Sequence, residues 1–351
     1  MKILVTGISG RIGANLALAL IGAGHEVRGL VWPKDRRLEK LKRLDAKLIE
    51  GDLTDPDDVE RAARGADAIC HLGAAFQGGG PFSSQDYFET NVRGTFNVLE
   101  CALRHSDRLA HVFYASTDAA YEKYVPGGMR QPIREDETTV APVGWYALSK
   151  ILGEEMCLGY HRRYGLPVTA FRFAMTLAGD EILDWAQFRL SHWLQVYEGK
   201  HGETEGQVYK ELQRLSGDGE RLLVARDTEG RSFKKHIADV RDIVLGFLSA
   251  LGKETAIGET FQLAGPAPFT WEEAVPYLTQ KLGMEYVDVR LAGHVPTYYE
   301  FDLSKAKRLF GYQPAFDIFK MIDSAIAFRH GEVTDLLPTH IPERGGGSDA
   351  L

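Results

Sequence analysis

Tyr146 and Lys150 stand four apart in the stretch WYALSK, so on a helix their side chains share one face about one turn apart. That spacing suits proton transfer. A phenol with an ordinary pKa of about 10 is a poor base at neutral pH, but a neighbouring ammonium and an oxidised nicotinamide would stabilise its phenolate. Tyr146 would then move a proton on or off a substrate oxygen while hydride passes to or from the cofactor. Lys150 would also hold the nicotinamide ribose. A third group must orient the oxygen, and Ser116-Thr117-Asp118 closes the apolar run LAHVFYA, where a hydroxyl would project from a strand end into the same crevice. YxxxK alone is also what an amphipathic helix face looks like; its meaning depends on the other motifs.

The next such group is TGISGRIG, residues 6 to 13. KILVT before it reads as a short buried strand, and Ile12, Leu16 and Leu20 after it recur with helical period. Between strand and helix, Gly7 permits the turn, Gly10 lets a pyrophosphate approach the backbone and Gly13 lets helix and strand pack closely. The phosphates would meet the helix N-terminus, whose free N–H groups and dipole favour negative charge. A carboxylate ending the second strand would select NAD; that strand runs out in Leu30, Val31, Trp32 and Pro33, with Lys34, Arg36 and Arg37 following and Arg11 inside the loop. Such cations would neutralise a 2′-phosphate, so the expected cofactor is NADP, with NAD the alternative. Solvated charges on the next helix would look the same.

These groups need a scaffold to bring them together. Strands are expected at 2–6, 26–31, 46–50, 67–72, 109–115 and 167–173, with helices at 11–23, 35–44, 56–65, 86–105 and 144–165. Such alternation implies an α/β fold of Rossmann type, a doubly wound parallel sheet covered on both faces by crossover helices, with a smaller mixed C-terminal substrate-binding region. The nucleotide-binding domain is expected over 1–175 and 233–261, the substrate-binding region over 176–232 and 262–335, and a tail with the composition of a disordered end over 336–351. Asp52, after the third strand, and Leu72-Gly73-Ala74, after the fourth, face the crevice at the carboxyl edge of the sheet.

With 351 residues, 44% hydrophobic and 26% charged, the chain belongs to the globular class. A net charge of −8 argues against a nucleic-acid or anionic-membrane surface. The three cysteines form no CxxC, and the N-terminus carries no signal-peptide core, so a cytoplasmic location is expected. The eleven histidines show no metal-ligand spacing and are expected at turns and on the surface, with no metal.

Together these motifs resemble the extended short-chain dehydrogenase/reductase family, the NAD-dependent epimerases and dehydratases. The likeness runs from TGISGRIG through Asp52, NVRGTFNVLE from Asn91, STDAAYE, Tyr146 and Lys150 to DLSKAKRLFGYQP. It implies Thr117 beside Tyr146 and Lys150 as the catalytic set. It implies a cofactor site of Gly7, Gly10, Arg11, Ile12, Gly13, Trp32, Arg36, Asp52, Leu53, Leu72, Gly73, Ala74, Asn91, Ala115, Tyr146 and Lys150. Ser116, Thr117, Asp118, Met175 and Arg231 would meet the substrate, a sugar or nucleotide sugar, and homodimers are frequent. Three departures matter. Met175 stands where such members carry an Asn; Arg231 is about one residue out of register with the phosphate-binding Arg; and Thr117-Asp118-Ala119 lacks the Glu that dehydratases use as base. The expected reaction is hydride transfer at a secondary alcohol or ketone, as net redox or epimerisation. A carbonyl reductase of a non-sugar ketone and a catalytically idle nucleotide-binding protein are the alternatives. Asp180, Asp184 and Tyr298 are substrate candidates by location only.

Overall fold

The computed structural model describes residues 1–339 except Lys34, Gly79, His201, Asp218 and Thr334, and for Arg36 the backbone only. The expected alternation is present. β1 (Lys2–Thr6), α1 (Arg11–Gly22), β2 (Glu26–Val31), β3 (Ala46–Glu50), α2 (Pro56–Ala63) and β4 (Ala68–His71) follow in turn. A helical run of α3 (Ser84–Tyr87), a π-helical turn at Phe88–Arg93 and α4 (Gly94–Arg104) leads to β5 (His111–Thr117), α5 (Gly144–Tyr164) and β6 (Val168–Phe173). The stretch at 35–44 is a 3-10 helix, Arg36–Arg43, rather than an α-helix. Its leucines at 38, 41 and 44 recur every three residues, the period at which 3-10 side chains eclipse.

After β6 come β7 (Thr176–Leu177), α6 (Leu190–Tyr197), α7 (Glu203–Leu215), β8 (Leu222–Arg226), β9 (Lys234–Lys235), β10 (Ala238–Asp239), α8 (Val240–Ala250), β11 (Thr260–Leu263), β12 (Phe269–Thr270), α9 (Trp271–Leu282), β13 (Tyr286–Arg290), α10 (Ser304–Phe310) and α11 (Ile318–Arg329). Seven strands form one sheet in the order β11-β6-β5-β4-β1-β2-β3, every pair parallel. With helices on both faces the strands are buried throughout, as the fully enclosed Ile3, Leu4 and Val5 of β1 illustrate. The strand order reverses beside β1, which pairs β2 on one side and β4 on the other; a crevice opens at such a switch point.

A second apolar core, holding Trp185, Phe188, Trp193, Phe233, Trp271 and Ile322, belongs to the smaller lobe. The expected boundary at 261/262 cuts through β11, and α10 with Tyr312 packs into the sheet core, so part of the 262–335 segment supports the nucleotide lobe. The chain also returns to α1: Asn15 donates to Leu337 O (3.0 Å) and accepts from Leu337 N (2.8 Å), while Lys40 Nζ donates to Pro338 O and Thr339 O. The start of the expected tail is therefore docked; its remainder, 340–351, lies outside the described residues.

Candidate active site

β1 ends at the glycine turn, where Gly7 has φ +68° and a Cβ built there would lie 2.7 Å from Gly73 N. A Cβ at Gly13 would stand 2.2 Å from Gly7 O, so α1 can pack this closely only on a glycine. Thr6 ties the neighbouring strand end to this turn: its Oγ1 accepts from Gly73 N (3.0 Å) and contacts His71 Nδ1 (2.7 Å). His71 Nε2 contacts Thr95 Oγ1 (3.0 Å), which itself donates to Asn91 O (2.5 Å). With Thr95's proton already given, His71 donates from Nε2 and accepts from Thr6 at Nδ1. Burial drives its pKa down to about 3, helped by the Lys150 charge, so the ring is neutral.

Asn91 is fully buried and joins the β4 loop to the catalytic helix. Its amide exchanges hydrogen bonds with Ala75 (Oδ1 from N, 2.7 Å; Nδ2 to O, 3.0 Å) and donates to Ser149 Oγ (2.9 Å) on α5. On α5 itself, Tyr146 lies beside Thr117 and packs edge-on to Phe76 and Tyr87. Burial pushes the Tyr146 phenol well up; the nearby Thr117 hydroxyl acts downward, and the Asp118 and Tyr87 charges add to the rise. Lys150, one turn on, is buried with Nζ 4.3 Å from the Tyr114 ring centre and, among the described residues, forms no ion pair. Burial lowers its pKa to about 8 against the opposing pull of Cys157 and Glu154. A phenol and a hydroxyl thus stand together at the carboxyl edge of the sheet, with a buried ammonium one helical turn along α5, an arrangement able to exchange a proton with a substrate oxygen.

The model of the NAD dependent epimerase/dehydratase family matches residues 3–193. This chain belongs to that family. Relatives of it include a Bacillus subtilis protein described as an uncharacterized UDP-glucose epimerase, 27% identical over 93% of this chain and 98% of its own length. UDP-glucuronate 4-epimerase 1 of Arabidopsis thaliana is 27% identical over 91% of this chain and 74% of its own. Among solved structures, a short-chain dehydrogenase/reductase superfamily protein from Agrobacterium tumefaciens with bound NAD superposes with a TM-score of 0.78 at 27% identity, covering 94% of this chain and 98% of that one.

Within the family frame the expected residues sort into several groups. Gly7, Gly10, Ile12, Gly13, Leu72, Gly73, Ala74 and Ala115 line up along the turn and strand ends; Leu53 lies under Gly73 and Gly94, where a Cβ would come within 2.6 and 3.1 Å of it. Asp52 is exposed and accepts from Thr54 N and Oγ1 (2.8 and 2.9 Å), and Trp32 is exposed at the end of β2. Ser116 is corrected. Alternation along β5 turns it away from Thr117, and its hydroxyl donates to Glu154 (2.5 Å), which is also held by Arg172 Nη2 (2.6 Å) in a buried network. Asp118 pairs with buried Lys123 (3.0 Å). Met175 packs on the smaller lobe's core. Arg231 pairs with Asp227 (2.9 Å), donates to Gly127 O and lies over Tyr298, lining a cavity of about 330 Å³ with Arg130 and His294. Asp180 and Asp184 both pair with Arg329.

Two expectations fail. The cations assigned to a 2′-phosphate are engaged: Arg11 pairs with Glu181 (2.7 Å) and Arg37 with Asp35 (2.8 Å), while Lys34 and the Arg36 side chain lie outside the described residues. A carboxylate is present after all. Asp35 stands beyond the strand end, but a turn in which its N–H donates to Trp32 O (3.0 Å) folds it back, and Ser9 of the glycine loop donates to it. Desolvation opposes but Arg37 and Ser9 dominate, holding its pKa at about 2. The signal was Asp35 capping the 3-10 helix, four residues past Val31. Nor are the histidines all peripheral, since His71, His111 and His236 are buried in the core.

Proposed function

We propose that this chain catalyses reversible hydride transfer at a secondary alcohol or ketone of a sugar or sugar-like substrate, with NAD as cofactor, as an epimerase. The observation that carries the reading is the placement of Tyr146 beside Thr117, with buried Lys150, which forms no ion pair among the described residues, one turn along α5. The residues fit a dinucleotide: backbone packed against Gly7 and Gly13 keeps side chains out of the turn, and α1 begins there with no side-chain cap on its first N–H groups. Asp35, bridged by Ser9 and Arg37 beside the glycine loop, suits the adenosine ribose hydroxyls. When bound, the nicotinamide supplies the acceptor and donor of hydride. Thr117 orients the substrate hydroxyl, Tyr146 takes its proton as the C–H bond breaks, and the same phenol returns it when the ketone is reduced on its other face. Lys150 supports the ribose and, by its charge, the phenolate. Ala119 follows Asp118, so the base needed to eliminate water is missing.

The epimerase form draws support from the names of both curated relatives. Tyr146→Phe is expected to lower turnover about 10²- to 10⁴-fold while NAD affinity stays as it was; unchanged turnover would falsify the mechanism. Protein that purifies free of nicotinamide and consumes added cofactor with each turnover would exclude epimerisation and leave net oxidoreduction.

A further inference from the structure

Two successive lysines on β9 have opposite fates. Alternation sends Lys234 outward, where it pairs with Glu300 (3.0 Å) and covers the Tyr298 ring. Lys235 turns inward and is 3% exposed. Its ammonium donates to the neutral amide oxygen of Gln187 (3.1 Å) and lies 4.9 Å from the Trp185 ring centre; among the described residues it forms no ion pair. A buried ammonium without an acidic partner is costly and is retained where an anion completes it.

The surroundings point the same way. Tyr299, 1% exposed, has a buried hydroxyl that lies beside Tyr124 and, among the described residues, makes no hydrogen bond. Tyr124 is exposed and meets Tyr299 edge to face at 5.8 Å, forming the open side of the group. Burial raises the Tyr124 phenol, but Lys235 and Lys123 outweigh it and pull the group below its ordinary value, making a strong hydrogen-bond donor. Lys123 is already neutralised by Asp118, leaving the charge of Lys235 uncompensated. Lys123 lies 5.4 Å from the Tyr299 ring centre and 5.6 Å from that of Tyr124, and its partner Asp118 adjoins Thr117, so this group borders the reacting centre.

We propose that Lys235, Tyr124 and Tyr299 form a seat for an anionic oxygen group, carboxylate or phosphoryl, carried by the substrate near the carbon that Tyr146 and Thr117 address. This rests on the hydride-transfer reading for its position but not for its measurement, because binding is read without turnover.

The test is calorimetric titration of the NAD-loaded protein with glucuronate and glucose 6-phosphate against glucose, and with UDP-glucuronate against UDP-glucose. Wild type is expected to prefer an anionic member about 10- to 100-fold over its neutral counterpart. Preference for the uronates assigns a carboxylate; preference for glucose 6-phosphate assigns a phosphoryl group. Lys235→Met and Lys235→Gln are each expected to erase the preference while NAD affinity is kept and Tm is equal or higher. Equal binding of neutral and anionic sugars, no binding of any anionic member, or a preference that survives both substitutions overturns the seat. Tyr146→Phe, which tests the chemistry, is expected to leave the preference intact.

Discussion

The Nζ of Lys150 lies 4.3 Å from the Tyr114 ring centre, and the Tyr114 hydroxyl donates to the carbonyl of the same lysine at 3.0 Å. One aromatic side chain thus fixes both ends of the residue while giving its charge only a weak partner. Lys150→Met is expected to cut turnover about 100-fold and weaken NAD binding, yet leave Tm unchanged or raised, because an apolar chain of similar length removes a buried, unpaired charge. Retained activity with a lowered Tm would mean that the lysine is structural.

On the proposed reading, Asp35 selects the cofactor. Asp35→Asn should weaken NAD binding about 10- to 100-fold, the loss of a charge-assisted hydrogen bond, and narrow the gap between NAD and NADP. Fluorescence titration with both dinucleotides measures it, and an unaltered NAD/NADP ratio would refute the assignment.

Glu154 accepts from Ser116 and from Nε and Nη2 of Arg172, deep between α5 and the sheet. Removing one charge strands the other, so Glu154→Gln should cost about 3–5 kcal/mol. The double variant Glu154→Leu with Arg172→Met should cost less than either single change. Denaturant unfolding of the three variants decides this, and additive losses would contradict it.

Acid should destabilise the protein. Burial lowers His71 to about 3 and His111 and His236 to about 4, against about 6.5 when unfolded. Their contribution is full above pH 6.5 and is lost as pH falls toward 4, since the unfolded chain binds protons that the folded one refuses. Asp242, raised by burial to about 6, and Glu135, also raised by burial, work in the other direction, while His294, lowered by burial to about 4, adds to the three rings. Unfolding free energy is therefore expected to be lower at pH 5 than at pH 7.5; equal values would show that these rings gain protons in place.

Phe96 on α4 and Leu148 and Leu152 on α5 are exposed on neighbouring helices, an apolar surface of the kind that a second copy covers. Leu152→Glu is expected to shift sedimentation from dimer to monomer without loss of helix content. A wild-type protein already monomeric at high concentration would remove the dimer from the account.

What the sequence disclosed and what it hid follow one physical division. The glycine turn, α5 and the pair Tyr146 and Lys150 depend on neighbours within a few residues, so periodicity and spacing revealed them. Ser116 was misassigned because only strand alternation, and a glutamate 38 residues away, determine which way its hydroxyl points. Asp35 escaped because a turn, not a strand, delivers it, and Lys235 because its lack of an acidic partner is a tertiary fact. Between 176 and 232 the elements other than α7 are short and pack on the aromatic core of the smaller lobe, so local propensity said little there.

The bonds between Asn15 and Leu337 span 322 positions. α1 is therefore tied to a segment close to the other end of the described chain, and contacts so distant in sequence are of the kind that slow folding.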